Sequence, residues 1–215
     1  MAPDVPEAAC PEARVRYIGA AMDRLLLYHD FVSPYCRLAL EPTLQVAANA
    51  GLEVRPVPFE LHPSPAPLPS PGDPALEREL AKAGEVARAW GTELGRLASV
   101  PRTRKAHESV SYARTQGDAA TAEAVLRRLY AALWLDGLDI ARLDVLADIG
   151  AAAGLDREAM HVALGLDGLE PDVVREQEAA AGAGITGVPV VQLGTAVATG
   201  LIPADELQEW IGQNR

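Results

Sequence analysis

Four consecutive residues, Ser33, Pro34, Tyr35 and Cys36, are the part of this 215-residue sequence best suited to chemistry. They follow a short apolar run, residues 25–28, which is typical of a buried strand. Ser33 is a favoured N-cap, and Pro34 suits the first helical position. A thiolate at a helix N-terminus is stabilised by free N–H groups and by the helix dipole. The same pattern equally fits an ordinary buried cysteine behind a serine cap.

The positions of Ser33 and Cys36 predict which of the two side chains can be reached. They are three residues apart, on one side of the first helical turn. We expect Ser33, which comes first, to be the more exposed, and Cys36 to lie one turn deeper.

A second segment, Val188-Pro189, precedes another strand-like run. A cis bond at this proline would leave the backbone N–H and C=O of Val188 free to pair with an extended ligand. A trans proline at a strand edge fits the local pattern as well. The segment alone does not decide between them.

The elements around the motif predict a strand–helix–strand unit. The helix should run from Pro34 to about Ala50, where Gly51 ends it, with Pro42 kinking or straining one turn. Alternating residues 53–61 predict a second strand. A proline-rich loop over 62–74 follows, and residues 75–183 read as helical almost throughout. Residues 188–193 and 196–199 again have strand patterns and predict a hairpin, which a C-terminal helix follows.

Taken together and in this order, these features resemble the DsbA family of the thioredoxin superfamily, from Leu25 to about Trp210. The resemblance implies an α/β thioredoxin-like fold (22–74 and 184–215) with a large all-helical insertion (75–183), preceded by a flexible arm (1–21). It points to the FrnE-type branch of cytoplasmic thiol oxidoreductases. The stretches that carry it are Pro58-Phe59-Glu60-Leu61-His62-Pro63, Lys105-Ala106-His107, Asp139-Ile140 with Leu146, Gly154-Leu155-Asp156 and Gly184-Ile185-Thr186-Gly187-Val188-Pro189.

The motif departs from the dithiol pattern, because Ser33 stands where dithiol members carry cysteine. A disulfide within the motif is therefore impossible. Ser-Pro-Tyr is also found in relatives that depend on glutathione, the kappa-class glutathione transferases and the 2-hydroxychromene-2-carboxylate isomerases. In these the serine stabilises the thiolate of bound glutathione, and the resemblance implies the same role for Ser33.

Three functions remain open. The resemblance to the FrnE-type branch favours a thiol-disulfide oxidoreductase-like enzyme that acts through the single thiol of Cys36. Alternatively, glutathione or another small thiol is the cosubstrate of an isomerase or transferase, held by Ser33. A catalytically inactive module that binds a peptide or ligand is the third. The residues expected to line the site in each case are Pro34, Tyr35, His62, Val188 and Pro189.

The remaining histidines give weaker signals. His29 is expected to be partly buried and bonded to backbone, His107 to line the cleft or lie at the surface, and His161 to be structural. The four histidines are scattered and lack the spacing of metal ligands, so we predict no metal site. The sequence has no glycine-rich phosphate-binding loop after a strand, so we predict no nucleotide cofactor. We expect no tightly bound cofactor.

The composition of the chain indicates which classes of partner and which cellular compartment to expect. The net charge of −11 disfavours nucleic acid. No apolar run is long enough to span a membrane. There are two cysteines, Cys10 and Cys36, and no signal-peptide pattern is evident, so we expect a cytoplasmic protein. A small thiol or disulfide is the expected partner, and the relatives suggest a homodimer.

Overall fold

The computed structural model describes residues 24–70 and 72–215. The predicted arm over 1–21, with Cys10, lies outside the described residues. The elements, in chain order, are β1 (Arg24–His29), α1 (Pro34–Asn49), β2 (Glu53–Pro58), α2 (Pro74–Ala89), α3 (Arg104–Gln116), α4 (Ala119–Trp134), α5 (Leu143–Ala152), α6 (Arg157–Gly165), α7 (Glu170–Gly182), β3 (Val190–Leu193), β4 (Ala196–Thr199) and α8 (Ala204–Gln213).

The four strands form one mixed sheet in the order β2-β1-β3-β4. Strand β1 pairs in parallel with β2 and antiparallel with β3, and β3 pairs antiparallel with β4. In this register His29 lies opposite Pro58, and Tyr28 lies opposite Val190. The segments that follow β1 and β2 and the segment that precedes β3 therefore meet at one edge of the sheet. The motif lies at this edge, because it directly follows β1.

Helix α1 forms largely as the sequence predicts. Ser33 is the N-cap, Pro34 is in the first turn, and Gly51 follows the helix with a φ of 66°. A positive φ at this position suits glycine because it has no Cβ. The helix continues without a break through Pro42. Its apolar side chains pack into the core together with β1 and the helices of the insertion.

Strand β2 is shorter than predicted, since it ends at Pro58 rather than at residue 61. The backbone N–H of Phe59 still donates to the carbonyl of His29 at 3.0 Å. Two residues later the N–H of Leu61 donates to the Asp30 carboxylate at 2.7 Å. A side-chain acceptor has replaced the strand ladder at that point, so the chain leaves the sheet.

The region 75–183, predicted to be helical almost throughout, consists of α2–α7 and has a long non-helical stretch between α2 and α3, over residues 90–103. Gly95 has a φ of 85°, and the N–H of Arg96 donates to the Trp134 carbonyl at 2.8 Å. A Cβ at position 95 would collide with that same carbonyl. The interruption exists because this segment packs directly against the end of α4.

Charged side chains tie the insertion to the sheet. Arg104 of α3 forms ion pairs with Glu60, which follows β2, and with Glu170 of α7. Glu60 is almost fully buried, so this contact is more than a surface ion pair. No helix in the described part of the chain is long and apolar enough to cross a membrane.

Candidate functional site

The first turn of α1 is organised by Ser33. Its backbone N–H donates to the Asp30 carbonyl at 3.2 Å, and its own carbonyl accepts from the N–H of Arg37 at 3.0 Å. Its hydroxyl oxygen accepts from the backbone N–H of Cys36 at 3.3 Å. A hydroxyl can also donate, and the interaction of the Ser33 side chain with Cys36 lowers the pKa of that thiol. The serine is thus the helix cap, and its hydroxyl is a possible donor to a sulfur at this end of the helix.

The prediction that Ser33 is more exposed than Cys36 is wrong. Ser33 is 1% exposed and Cys36 is 2% exposed. The cause lies in α4, whose side chains hold the loop that carries the motif. The Trp134 indole N–H donates to the Phe31 carbonyl at 2.8 Å, and the Tyr130 hydroxyl donates to the Asp30 carbonyl at 3.1 Å.

Burial changes the chemistry of the Cys36 thiol. Desolvation raises its pKa from 9.0 to about 12, because the dry surroundings disfavour the thiolate. Hydrogen bonds from Ser33, the Asp30 backbone and Tyr130 lower this pKa, but by less than burial raises it. The negative charge of the Asp30 side chain raises it further. At neutral pH this sulfur is therefore a protonated thiol.

A cluster of buried polar side chains lies beside the thiol. Asp30, which precedes the motif, is 0% exposed, and His107 of α3 is 3% exposed. One Asp30 oxygen accepts from the N–H of Leu61, and the other lies 3.6 Å from His107 Nε2. His29 Nδ1 lies 3.0 Å from the Tyr130 hydroxyl. We refer to Asp30, His29, His107 and Tyr130 as the buried polar cluster.

Electrostatics keep two members of this cluster neutral. Burial, together with the neighbouring His107, holds the pKa of His29 well below its usual value. Burial also raises the pKa of Tyr130 well above 10, with smaller effects from Cys36 and Asp30. His29 bonds to a side chain rather than to backbone, and it is fully buried, unlike the prediction. His107 is neither at the surface nor open to solvent.

Asp30 is a site residue that was not predicted, although the sequence contains a signal for it. An aspartate between a buried strand and Phe31-Val32 stands in an otherwise apolar run. Buried carboxylates are rare unless they are paired, so this position merited attention. His161, by contrast, lies half-buried on α6, away from the motif.

The other predicted site residues are distributed around the same edge of the sheet. Tyr35 is half-buried, and burial followed by the charge of Glu79 on α2 raises its pKa. Pro34 is buried next to Ser33. His62 is half-buried, and its carbonyl accepts from Arg102 at 2.7 Å. Within the described part of the chain, the His62 ring makes no hydrogen bond to the motif.

The loop before β3 forms a separate part of this edge. The peptide bond between Val188 and Pro189 is cis. Both residues line a cavity of about 510 Å³ formed by residues 183–190 with Val197, Thr199 and Gly200. Ser33 and Cys36 do not line it. Val188 also packs against the core that contains Cys36, so the two regions are joined through packed side chains.

A larger groove of about 1170 Å³ runs between α2, residues 92–100 and the end of α4. Its walls combine apolar side chains such as Leu76, Leu80 and Trp134 with charged ones, including Arg88 and Glu93. The motif does not line this groove either. Arg37, the residue after Cys36, reaches the groove wall by donating to the Glu93 carbonyl at 3.4 Å. The groove therefore offers space near the motif without containing it.

The described residues contain no group of three or more histidine, cysteine or carboxylate side chains placed to hold a metal ion. The groups that the site offers are a hydroxyl at a helix N-terminus, a buried thiol and a buried carboxyl–imidazole pair.

Comparison with known proteins extends the picture. The family model described as "DSBA-like thioredoxin domain" matches residues 24–212. An uncharacterized protein of Bacillus subtilis (strain 168), YwbO, is 26% identical over 195 residues, covering 88% of this chain and 96% of that protein.

Several solved structures share the fold. A 2-hydroxychromene-2-carboxylate isomerase matches with a TM-score of 0.73 at 22% identity, covering 88% of this chain and 95% of the isomerase. A probable DsbA oxidoreductase from Streptomyces coelicolor gives 0.73 at 22% identity, with 89% of each chain covered. The cytosolic disulfide reductase DsbM from Pseudomonas aeruginosa, solved with GSH, gives 0.66 at 18% identity, covering 88% and 98%.

At these identities the solved structures establish the fold, and the family model covers most of the chain. The resemblance to the DsbA family and the α/β thioredoxin fold with a helical insertion are both confirmed. The chain belongs to the DSBA-like thioredoxin domain family.

Proposed function

We propose that this protein is a thiol-dependent enzyme whose reactive sulfur belongs to a small thiol, such as glutathione, held at Ser33. The thiolate would attack an electrophilic substrate, which the enzyme then isomerises or conjugates. Ser33 would donate a hydrogen bond to the sulfur and would not itself attack.

The observation that carries this proposal is the contrast between the two motif positions. Position 33 supplies a hydroxyl donor at a helix N-terminus, where negative charge is favoured. Position 36 supplies a thiol whose pKa is raised to about 12 by burial. The thiolate is the nucleophile in thiol chemistry, so a protonated and buried Cys36 argues against the single-thiol oxidoreductase mechanism.

Binding at Ser33 requires one structural change. Because Ser33 is 1% exposed, part of its cover has to move before a ligand sulfur can reach the hydroxyl. Tyr130 and Trp134 of α4 bond to the loop just before Ser33, so this cover has to loosen on the side of α4.

Relatives support the choice of thiol and of compartment. The structural neighbours include an isomerase and a cytosolic disulfide reductase solved with GSH. We propose that this protein uses a small thiol as cosubstrate, is located in the cytoplasm and forms a homodimer. We also propose that residues 22–74 and 184–215 form one unit and 75–183 the inserted one.

The test is binding and intact mass with reduced and oxidised glutathione. We expect reversible binding of reduced glutathione to the Cys10→Ser variant, with no covalent adduct on Cys36. Ser33→Ala should weaken binding at least about tenfold, the equivalent of one lost hydrogen bond to a charged group. Ser33→Thr, which keeps a hydroxyl, should bind nearly as well as the parent.

A matched control separates binding from stability, because Ser33→Ala also removes a helix cap. Asp118 caps α4 in the same way, through its bond to the N–H of Thr121, and is exposed. Asp118→Ala should lose similar stability and keep full affinity for glutathione. A mixed disulfide on Cys36 would instead support the single-thiol mechanism. Absence of both binding and adduct would favour the inactive binding module.

A further inference from the structure

The buried polar cluster contains two side chains whose facing atoms have no hydrogen-bond partner. Asp30 Oδ1 and His107 Nε2 both lack one among the described residues. They face each other at 3.6 Å, within ion-pair distance but too far for a hydrogen bond. Burying unpaired polar atoms is costly, so this pairing needs an explanation.

Both oxygens of the Asp30 carboxyl face groups of other elements. One lies near His107, and the second accepts the backbone N–H of Leu61 at 2.7 Å. A buried charge is tolerated when a counter-charge lies close by. The His107 imidazole is the group in position to supply it.

The other groups that face this pair do not supply a counter-charge. His29, whose ring centroid lies 5.0 Å from that of His107, has a lowered pKa and is neutral. Tyr130 donates its hydroxyl to the Asp30 backbone carbonyl and is also neutral. Phe31 covers the His107 ring at 4.9 Å and excludes water.

Two further charged side chains lie near the cluster on neighbouring elements, and neither is paired with Asp30. Arg37 of α1 donates to the Glu93 carbonyl at 3.4 Å. Glu108, next to His107 on α3, accepts from Lys105 at 3.0 Å. Each also has a buried atom without a hydrogen-bond partner among the described residues, Arg37 Nε and Glu108 Oε1. Neither forms an ion pair with Asp30, and His107 is the group whose nitrogen lies at ion-pair distance from it.

We propose that Asp30 and His107 form a buried ion pair. His107, on α3 of the insertion, is the cation of this pair and balances the charge of Asp30 beside the motif, so that a sulfur at position 33 can ionise. His107 is a positioning residue in this scheme, since it acts through Asp30 and does not touch the sulfur. The inference rests on the proposed function, because it assigns the reactive sulfur to that position.

The charge of Asp30 affects how easily a thiol at position 33 loses its proton. A thiol at position 33 ionises by releasing its proton to solvent, which adds one negative charge to a dry region. An unneutralised carboxylate three residues away would oppose this second charge. With His107 protonated, the pair has no net charge and the opposition is removed. The helix N-terminus can then stabilise the thiolate.

The experiment places a sulfur at position 33 directly, without relying on glutathione binding. Ser33→Cys is made together with Cys10→Ser and Cys36→Ser, so that the introduced thiol is the only one. Its ionisation is followed by thiolate absorbance against pH. Adding His107→Gln should raise the midpoint by about one pH unit or more, since Asp30 loses its counter-charge. Adding Asp30→Asn to that variant should return the midpoint to near the parent value.

His161→Gln, on α6, is the matched control and should leave the midpoint unchanged. If His107 had only a structural role, His107→Gln would change the stability of the protein. It would not raise the pH midpoint of thiol ionisation, and Asp30→Asn would not restore that midpoint. The proposal is overturned if His107→Gln leaves the midpoint unmoved, or if Asp30→Asn fails to reverse the change. Glutathione binding is measured separately, so failure of the proposed function would show as absent binding with the midpoint shifts intact.

Discussion

Cys36 should react with alkylating reagents far more slowly in the folded protein than in the unfolded chain. The perturbation is unfolding by urea, applied to the Cys10→Ser variant so that Cys36 is the single thiol. A thiol with a pKa of about 12 is ionised at pH 7 in about one molecule in 10⁵. An unfolded cysteine with a pKa of about 8.5 is ionised in about 3% of molecules. The thiolate fraction therefore falls about 3000-fold on folding.

The assay is the rate of iodoacetamide addition at pH 7, read by intact mass with and without urea. We expect a native rate at least about 1000-fold below the unfolded rate, because burial adds a steric barrier to the loss of thiolate. A small free thiol such as N-acetylcysteine, treated in the same way, controls for the effect of urea on the reagent. A native rate within about tenfold of the unfolded rate would refute the reasoning and restore Cys36 as a reactive thiol.

Three further predictions concern stability. Since folding raises the pKa of Cys36, its contribution to stability is complete below about pH 8.5 and is lost between about pH 8.5 and 12, by about 1.4 kcal/mol per pH unit. Urea unfolding of Cys36→Ala should lack this slope. Gly95→Ala should lower the free energy of unfolding by about 2–4 kcal/mol through collision with the Trp134 carbonyl, whereas Gly84→Ala, with open space inside α2, should raise it by about 0.5–1 kcal/mol. Asp156→Ala, which removes the N-cap of α6, should cost about 1 kcal/mol in thermal or urea unfolding, and equal stability of variant and parent would contradict the assigned cap.

The sequence predicted those parts of the fold that depend on local signals. Serine and proline mark the start of α1, and Gly51 marks its end. Asp118 and Asp156 cap α4 and α6, and such caps are local signals because their side chains need only the first turn of their own helix. The hairpin of β3 and β4 likewise depends on the turn between the strands.

The burial of the motif could not be predicted locally. Ser33 is covered because Tyr130 and Trp134, about 100 positions away, bond to the loop before it. Nothing in the spacing of α4 reveals that its polar atoms face a particular carbonyl. The position of His107 against Asp30 is non-local in the same way, since Asp30 follows β1 and His107 lies on α3 of the insertion.

The placement of β1 between β2 and β3 has a consequence for how the chain is made. The hydroxyl of Tyr28 donates to Gln192 across the β1–β3 pair, and these residues are 164 positions apart. During synthesis β1 can pair with β2 early, but its other edge has no strand to pair with until the insertion has emerged. Closing so long a loop is slow, and an unpaired strand edge can associate with other chains. Nascent chains truncated before β3 should therefore depend on chaperones, and those that include α8 should not.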